Sequence, residues 1–355
     1  MRALKFAYRF SYGSGMTTDN ARAFSIQLLF DELSVKAHVL EHLTIDGIDQ
    51  LSFLLAFSVC NRLRKIHLTM QSSLDPTVFM MFASLKSLTE LTLNGFDMSR
   101  STSFIHLAAL KCLYLTSDTS SLIHFLKSVL LPEIQSLRID AYRAEDPDGI
   151  HTLSASMADC CAETLLLLEI NNHAVNGTSA MILVEPLLRM RHLRSVKIDD
   201  WSSPLSDQEL QRLAEAWPKL SAIDLTYDAD TPQEPHLHSL IHFTTLCPDL
   251  RLIHIVPLST VPLPDLDPSP ILSHGLQLIS FDHPSRSPIP DPRWVALFLD
   301  RTFPNIDVAG CERLLREADT ENWEEASNED WEEVLTHLSD FQLVRNQQDI
   351  RAGRA

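Results

Sequence analysis

The chain has 355 residues, 45% of them hydrophobic, and 47 Asp/Glu against 29 Lys/Arg give it a formal net charge of −18. The apolar content excludes wholesale disorder, no apolar run approaches the width of a bilayer, and the acidity disfavours nucleic-acid phosphates and anionic lipid as partners. Six cysteines without a C-x-x-C pair are no disulfide framework, and they read as buried thiols of a reducing compartment, the cytoplasm or the nucleus.

In chain order, residues 1–39 read as an N-terminal cap or a degenerate first repeat. Phe6, Tyr8 and Phe10 alternate as in a strand, and the stretch from Ala21 to Val39 reads as a helix capped by Asp19 or Asn20. Arg2, Lys5, Arg9 and Arg22 make this end basic, but it lacks both the amphipathic Ser/Arg pattern of an organelle-targeting segment and the apolar stretch of a secretory signal.

From residue 40 to 282 one pattern recurs: Leu-x-x-(Leu/Ile/Val)-x-(Leu/Ile/Phe). Its ten copies begin at Leu40, Leu63, Leu88, Leu110, Ile134, Leu165, Leu193, Leu220, Leu250 and Leu276, with steps of 22 to 31 residues. That period marks a stacked solenoid. Between copies the apolar spacing turns helical, as in Leu122, Phe125, Leu126 and Val129, or Leu210, Leu213, Ala214 and Trp217. Ser206 with Glu209 three residues on predicts a capping box at the start of the second of these helices.

A strand followed by a helix cannot cover its own apolar face, so neighbouring units must stack. The expected fold class is therefore α/β: a leucine-rich-repeat solenoid, a horseshoe or arc with parallel strands on its concave face and helices on its convex face. A doubly wound sheet is the rival, yet Gly13-Ser14-Gly15 lacks the third glycine and the preceding strand that a phosphate turn needs. An all-helical array is the other.

Prolines 257, 262, 264, 268 and 270 make a helix improbable between Val256 and His274. Residues 283–355 form the Pro-rich connection, terminal helices and acidic C-terminal cap or tail. Here Trp294 to Leu299 reads as a short helix and Phe303 to Val308 as a last strand or capping turn. Trp331, Val334, Leu335, Leu338 and Phe341 follow the spacing of a helix that seals the core.

No metalloprotease, P-loop, nucleophile-elbow or kinase signature appears, so the expectation is no enzyme and no cofactor. His236, His238 and His242 with Cys247 have offsets that do not share one helix face, and no metal is expected. Adjacent Cys160 and Cys161 suggest packing, and the sequon Asn176-Gly177-Thr178 carries weight only in a secreted chain.

Positions three, five and seven of each copy should point out of the sheet. Along the later copies these positions carry Asp140, Glu169, Asp199, Asp224 and Asp282, with Lys197 the basic exception and His254, Leu252, Val256 and Leu278 beside them. Charge follows the same direction. Residues 1–139 hold 13 Lys/Arg and 11 Asp/Glu, whereas residues 140–355 hold 16 and 36. The expected docking surface is therefore Asp140, Glu169, Asp199, Asp224, Leu252, His254, Leu278 and Asp282: carboxylates to steer a basic protein partner and apolar neighbours to supply buried contact.

Several segments add a resemblance. Ala216-Trp217-Pro218-Lys219-Leu220, leading into Asp224 and Leu225, resembles the helix-to-strand step of leucine-rich repeats in fungal F-box proteins. Leu246-Cys247-Pro248-Asp249-Leu250 is similar to the cysteine-containing repeat of that group, and Pro292 to Leu299, Phe303-Pro304 and the ending from Trp331 to Arg345 resemble its C-terminal portion. The resemblance implies the substrate-recognition part of a cullin-type ubiquitin-ligase receptor, which would meet the ligase adaptor only through an F-box. No Leu-Pro-x-Glu box precedes residue 40. The alternative is a free-standing scaffold or a regulator, for example of a small GTPase. Ile48, Phe96, Tyr142 and Trp201 stand where such repeats carry a loop asparagine at position nine, so another hydrogen-bond ladder must replace the asparagine one.

Overall fold

The structure is a computed structural model, described here for residues 2–7, 28, 32, 39–48, 51–70, 73–98, 104–142, 147–172, 179–201, 205–227, 234–256, 258–263, 274–280, 289–318 and 328–352. The chain divides into two compact units, Met1–His173 and Ala174–Ala355.

In the first unit, strands β1 (Ala3–Ala7), β2 (His42–Ile48), β3 (Lys65–Met70), β4 (Glu90–Asn94), β6 (Cys112–Asp118), β8 (Ser136–Tyr142) and β9 (Leu167–Asn172) lie side by side in chain order. All pairs are parallel. The short strands β5 (Ile105–His106) and β7 (Val129–Leu130) pair separately, also in parallel. Between the strands come a 3-10 helix (Leu51–Val59) and helices α1 (Pro76–Ser84), α2 (Thr119–Lys127) and α3 (Pro147–Cys161).

Register is where the sequence pattern becomes physical. Position three of each copy pairs with position three of the next: His42 with Lys65, Lys65 with Glu90, Glu90 with Cys112, Cys112 with Ser136 and Ser136 with Leu167. Each carbonyl at position two accepts two amides from the following copy. Arg64 O takes Thr89 N and Glu90 N at 2.9 Å, and Lys111 O takes Gln135 N and Ser136 N at 2.9 Å. Position-one residues are all buried, none more than 2% exposed, and positions four and six point into the same core. A fully buried leucine contributes about 2 kcal/mol over an exposed one, which makes stacking in register the favoured arrangement.

The helices form where caps permit. Asp75 accepts from Thr77 N at 2.6 Å with Pro76 as the first helical residue, and Asp118 accepts from Ser121 N at 3.0 Å. Phe125 joins the layers, meeting Phe79 edge-on at 5.4 Å and Phe96 at 5.7 Å between ring centroids. Leu122, Phe125 and Leu126 are buried in α2 as the periodicity predicts, but Val129 belongs to β7. Ser128 caps α2, and Ile105 N then bonds Ser128 O at 2.9 Å, so the helix ends at Lys127, two residues before Val129. Phe96, at position nine, is core rather than ladder, and Ser117 Oγ donates to its carbonyl.

The second unit repeats the scheme with α4 (Ala180–Leu187), β10 (Ser195–Trp201), α5 (Asp207–Ala216), β11 (Ala222–Tyr227), a 3-10 turn (Leu237–Ser239), α6 (Leu240–Leu246), β12 (Leu252–Val256) and β13 (Leu278–Ser280). Ser195, Ala222, Leu252 and Leu278 share one register. The expected capping box opens α5: Ser206 N donates to Glu209 Oε2 at 2.7 Å and Glu209 N to Ser206 Oγ at 3.4 Å.

A side-chain ladder links the repeats of this unit just ahead of position one, rather than at position nine where the asparagines are missing. Trp217 Nε1 donates to Leu187 O at 3.3 Å, Cys247 Sγ to Trp217 O at 3.4 Å, His274 Nε2 to Cys247 O at 2.9 Å and Asn305 Nδ2 to His274 O at 3.0 Å. Each donor reaches a carbonyl one repeat back, and those of Leu187, Trp217 and Cys247 also accept the amides of Met190, Leu220 and Leu250, so the ladder uses their second lone pairs to tie neighbouring repeats.

At the end, Ile306 N bonds Phe303 O and Asp307 N bonds Gln277 O, as positions one and two do elsewhere. The chain then turns into α8 (Val308–Ala318) instead of a strand, so Phe303 to Val308 is a capping turn. Helices α7 (Pro292–Thr302) and α9 (Asn328–Arg351) pack together. Trp331, Val334, Leu335 and Leu338 are buried, and Gln342 Nε2 donates to Ile306 O at 2.9 Å. Residues 258–263 contain no helix, as the prolines require. Tyr8, Phe10, the helix expected over 21–39 apart from helical Leu28 and Glu32, the chain from 264 to 273 and the sequon lie outside the described residues.

Candidate protein-docking surface

Alternation within the strands gives each sheet a face whose side chains are neither packed into the core nor fully free. In the first unit its middle rows read His67, Thr92, Tyr114, Arg138 and Glu169 at position five, with Asp46, Thr69, Asn94, Thr116, Asp140 and Asn171 at position seven. All are partly exposed.

Registration brings opposite charges together on this face. Lys65 Nζ stands 2.6 Å from Glu90 Oε2, and Arg138 stands 3.2 Å from Glu169 Oε1 while stacking over the Tyr114 ring at 4.7 Å. Glu169 is therefore a paired carboxylate. Asp140, in register with Thr116 and Asn171, has no ion-pair partner among the described residues. Leu167 is exposed beside this group. Tyr114 and Arg138 were on the expected face but not among the expected contact residues. Cross-strand contact is what marks them, because an aromatic–arginine stack next to an exposed leucine has the composition of an interface anchor.

In the second unit Lys197 bridges two carboxylates, Asp199 at 3.1 Å and Asp224 at 3.3 Å. Asp224 also takes a 2.7 Å contact from His254 Nδ1, and Thr226 Oγ1 donates to Asp199 at 3.2 Å. Burial opposes ionisation of Asp224, but the His254 hydrogen bond and the charges of His254 and Lys197 outweigh it and hold the carboxyl below the usual range. Burial likewise pushes Lys197 down, and the two aspartates more than compensate, so its ammonium titrates above the ordinary lysine value. Leu252 and Leu278 flank this network, both partly exposed. Val256 ends β12, its side chain is outside the description, and Asp282 lies outside the described residues.

The described residues of the expected set, all but Asp282, lie on the outward-facing strand positions of the two units. Their carboxylates are largely internally neutralised rather than bare. Strand registry sets Glu169 opposite Arg138 and Asp224 opposite Lys197, pairings that composition alone could not place.

The six cysteines are free thiols. Burial raises all of them, Cys160 and Cys311 to about 11 and Cys247 to about 12, so none is a thiolate nucleophile at neutral pH. Cys247 is buried in the ladder and away from the histidines once grouped with it by sequence; of that group only His236 and His238 meet. Among the described residues no helix is long and apolar enough to cross a membrane.

No family model matches the chain, and no curated protein matches it. Among solved structures, it is similar to an internalin from Listeria monocytogenes at 15% identity and a TM-score of 0.31. That match covers 61% of this chain and 55% of the internalin chain. The fold is a leucine-rich-repeat fold on its own evidence: in each unit, strands of one repeated pattern run parallel, in chain order and in one register.

Proposed function

We propose that this chain is a non-catalytic protein-recognition module that docks a partner with a basic surface on its uncovered sheet faces. The observation that carries this is the register within each unit: strand after strand presents its third, fifth and seventh side chains on one face, polar residues with Leu167, Leu252 and Leu278 among them, exposed or partly exposed apart from buried Ser280. Tyr114, Arg138 and Leu167 supply anchors in the first unit. Leu252 and Leu278 flank the Asp199–Lys197–Asp224–His254 network in the second.

The resemblance to leucine-rich repeats of fungal F-box proteins supports a finer reading: the module selects substrates for a cullin-type ubiquitin ligase in the cytoplasm or nucleus. The unpaired thiols, four of them buried and Cys112 and Cys160 partly so, are consistent with that compartment.

Proximity labelling followed by pull-down tests both levels. Tyr114→Ala with Leu167→Ala, and separately Asp140→Lys, should deplete the same partner by at least about tenfold, a loss of about 1.4 kcal/mol. Partners retained at unchanged yield by both variants and by the charge-reversal set Asp199→Lys, Asp224→Lys and Asp282→Lys sink the docking face. Retention of the ligase adaptor by the native protein supports the receptor reading, whereas partner binding without adaptor supports a free-standing scaffold.

A further inference from the structure

We propose that Asp207, His236 and His238 form a binding site for a divalent transition-metal ion of the zinc class. The expected objection to these histidines was helical spacing, and the backbone removes it. His236 is extended, with φ −87° and ψ 149°, and the 3-10 turn Leu237–Ser239 that follows it buries Leu237 in the core while bringing His238 back beside His236. The two imidazoles stack with centroids 5.3 Å apart and planes 20° from parallel.

Stacking of adjacent repeats supplies the carboxylate. Asp207 opens α5, 29 residues before His236, about one repeat step back. Its Oδ2 lies 2.7 Å from His236 Nδ1 and 3.6 Å from His238 Nε2. One donor atom from each of the three residues falls within 4.8 Å of the others. Around a tetrahedral ion with bonds of about 2.0–2.1 Å, donors stand roughly 3.3 Å apart. The His238 distance already matches that. The His236 contact must open as the metal takes the place of the proton it shares with Asp207, and the two near-parallel imidazoles must tilt so that their in-plane lone pairs converge on the ion.

The frame is held independently of the ligand atoms. His236 N donates to Asp207 Oδ1 at 2.7 Å, Ser239 Oγ donates to His236 O at 2.7 Å, and Leu237 N and Ser259 N make a parallel bridge around His236 at 2.8 Å each. Such outer contacts orient first ligands and limit the entropy lost on binding. Two imidazoles and one carboxylate suit zinc, cobalt, nickel or copper rather than magnesium or calcium, which prefer all-oxygen sites. Three protein ligands leave a further position for water or a partner's side chain.

The test uses the full chain stripped with chelator and titrated with Zn²⁺ by calorimetry and with Co²⁺ by visible absorption. One ion per chain should bind, with a rise in the thermal midpoint as metal is added. His238→Gln spares the Asp207–His236 hydrogen bond and should weaken binding by more than about tenfold. His242→Gln, in the adjoining helix, should leave binding unchanged. Absence of saturable one-to-one binding overturns the proposal, and so does binding by His238→Gln at full affinity or its loss in His242→Gln alone.

Discussion

Gly95 follows β4 at φ +70°, and a Cβ there would stand 2.5 Å from the carbonyl oxygen of Met70 in the neighbouring repeat. Gly95→Ala meets both left-handed strain and a backbone clash, so it should destabilise the protein by about 2–4 kcal/mol in urea unfolding. Asp224 gives a second residue-scale prediction. Its folded carboxyl titrates below the ordinary aspartate value, so the stabilisation is full above about pH 4 and disappears as pH falls through the folded value. Asp224→Asn should cost about 1–2 kcal/mol at pH 7, and thermal melts of the two proteins should converge in acid. The raised Lys197 acts in the opposite sense. Its contribution holds below the ordinary lysine pKa and fades only as strongly alkaline pH passes the folded value. Sequence reading placed Asp224 on the right face because strand alternation is a local rule. It missed the pairing with Lys197 and His254, since cross-strand neighbours are decided by register.

At the scale of elements, capping residues did most of the local work. Ser206 and Glu209 were legible as a helix start, and the structure closes that box. Val129 and Phe303–Val308 were harder, because a hydrophobic residue at helical spacing says nothing about where tertiary pairing ends the helix. The hydrogen-bond ladder through Trp217, Cys247, His274 and Asn305 was legible only as an expectation that some ladder other than asparagine would link the repeats, because which carbonyl each donor reaches depends on how neighbouring repeats stack. Removing one rung tests its weight. Trp217→Phe keeps an aromatic ring but deletes the indole donor and leaves space beside Leu187 O, and it should lower unfolding stability by about 2–4 kcal/mol. A change under about 0.5 kcal/mol in chemical denaturation would show that the ladder only occupies space.

For the molecule as a whole, charge sets the expected behaviour toward partners. Residues 140–355 carry 36 acidic against 16 basic side chains, a field that accelerates encounter with a cationic surface. Association of the native partner should slow by roughly tenfold or more between low and physiological salt, with dissociation changing little, as stopped-flow or surface-plasmon measurements can read. An on-rate insensitive to salt would assign recognition to the Tyr114 and Leu167 anchors instead. By itself the sequence determined the repeating unit, the buried positions one, four and six, the outward face and the acidic bias, because spacing and composition along one chain suffice for each. Tertiary structure alone decided which charges neutralise one another, which side chains form the hydrogen-bond ladder between repeats, and that Asp207 meets two histidines from the next repeat. Those outcomes depend on contacts between residues about a full repeat apart, a distance over which local periodicity carries no phase for individual side chains.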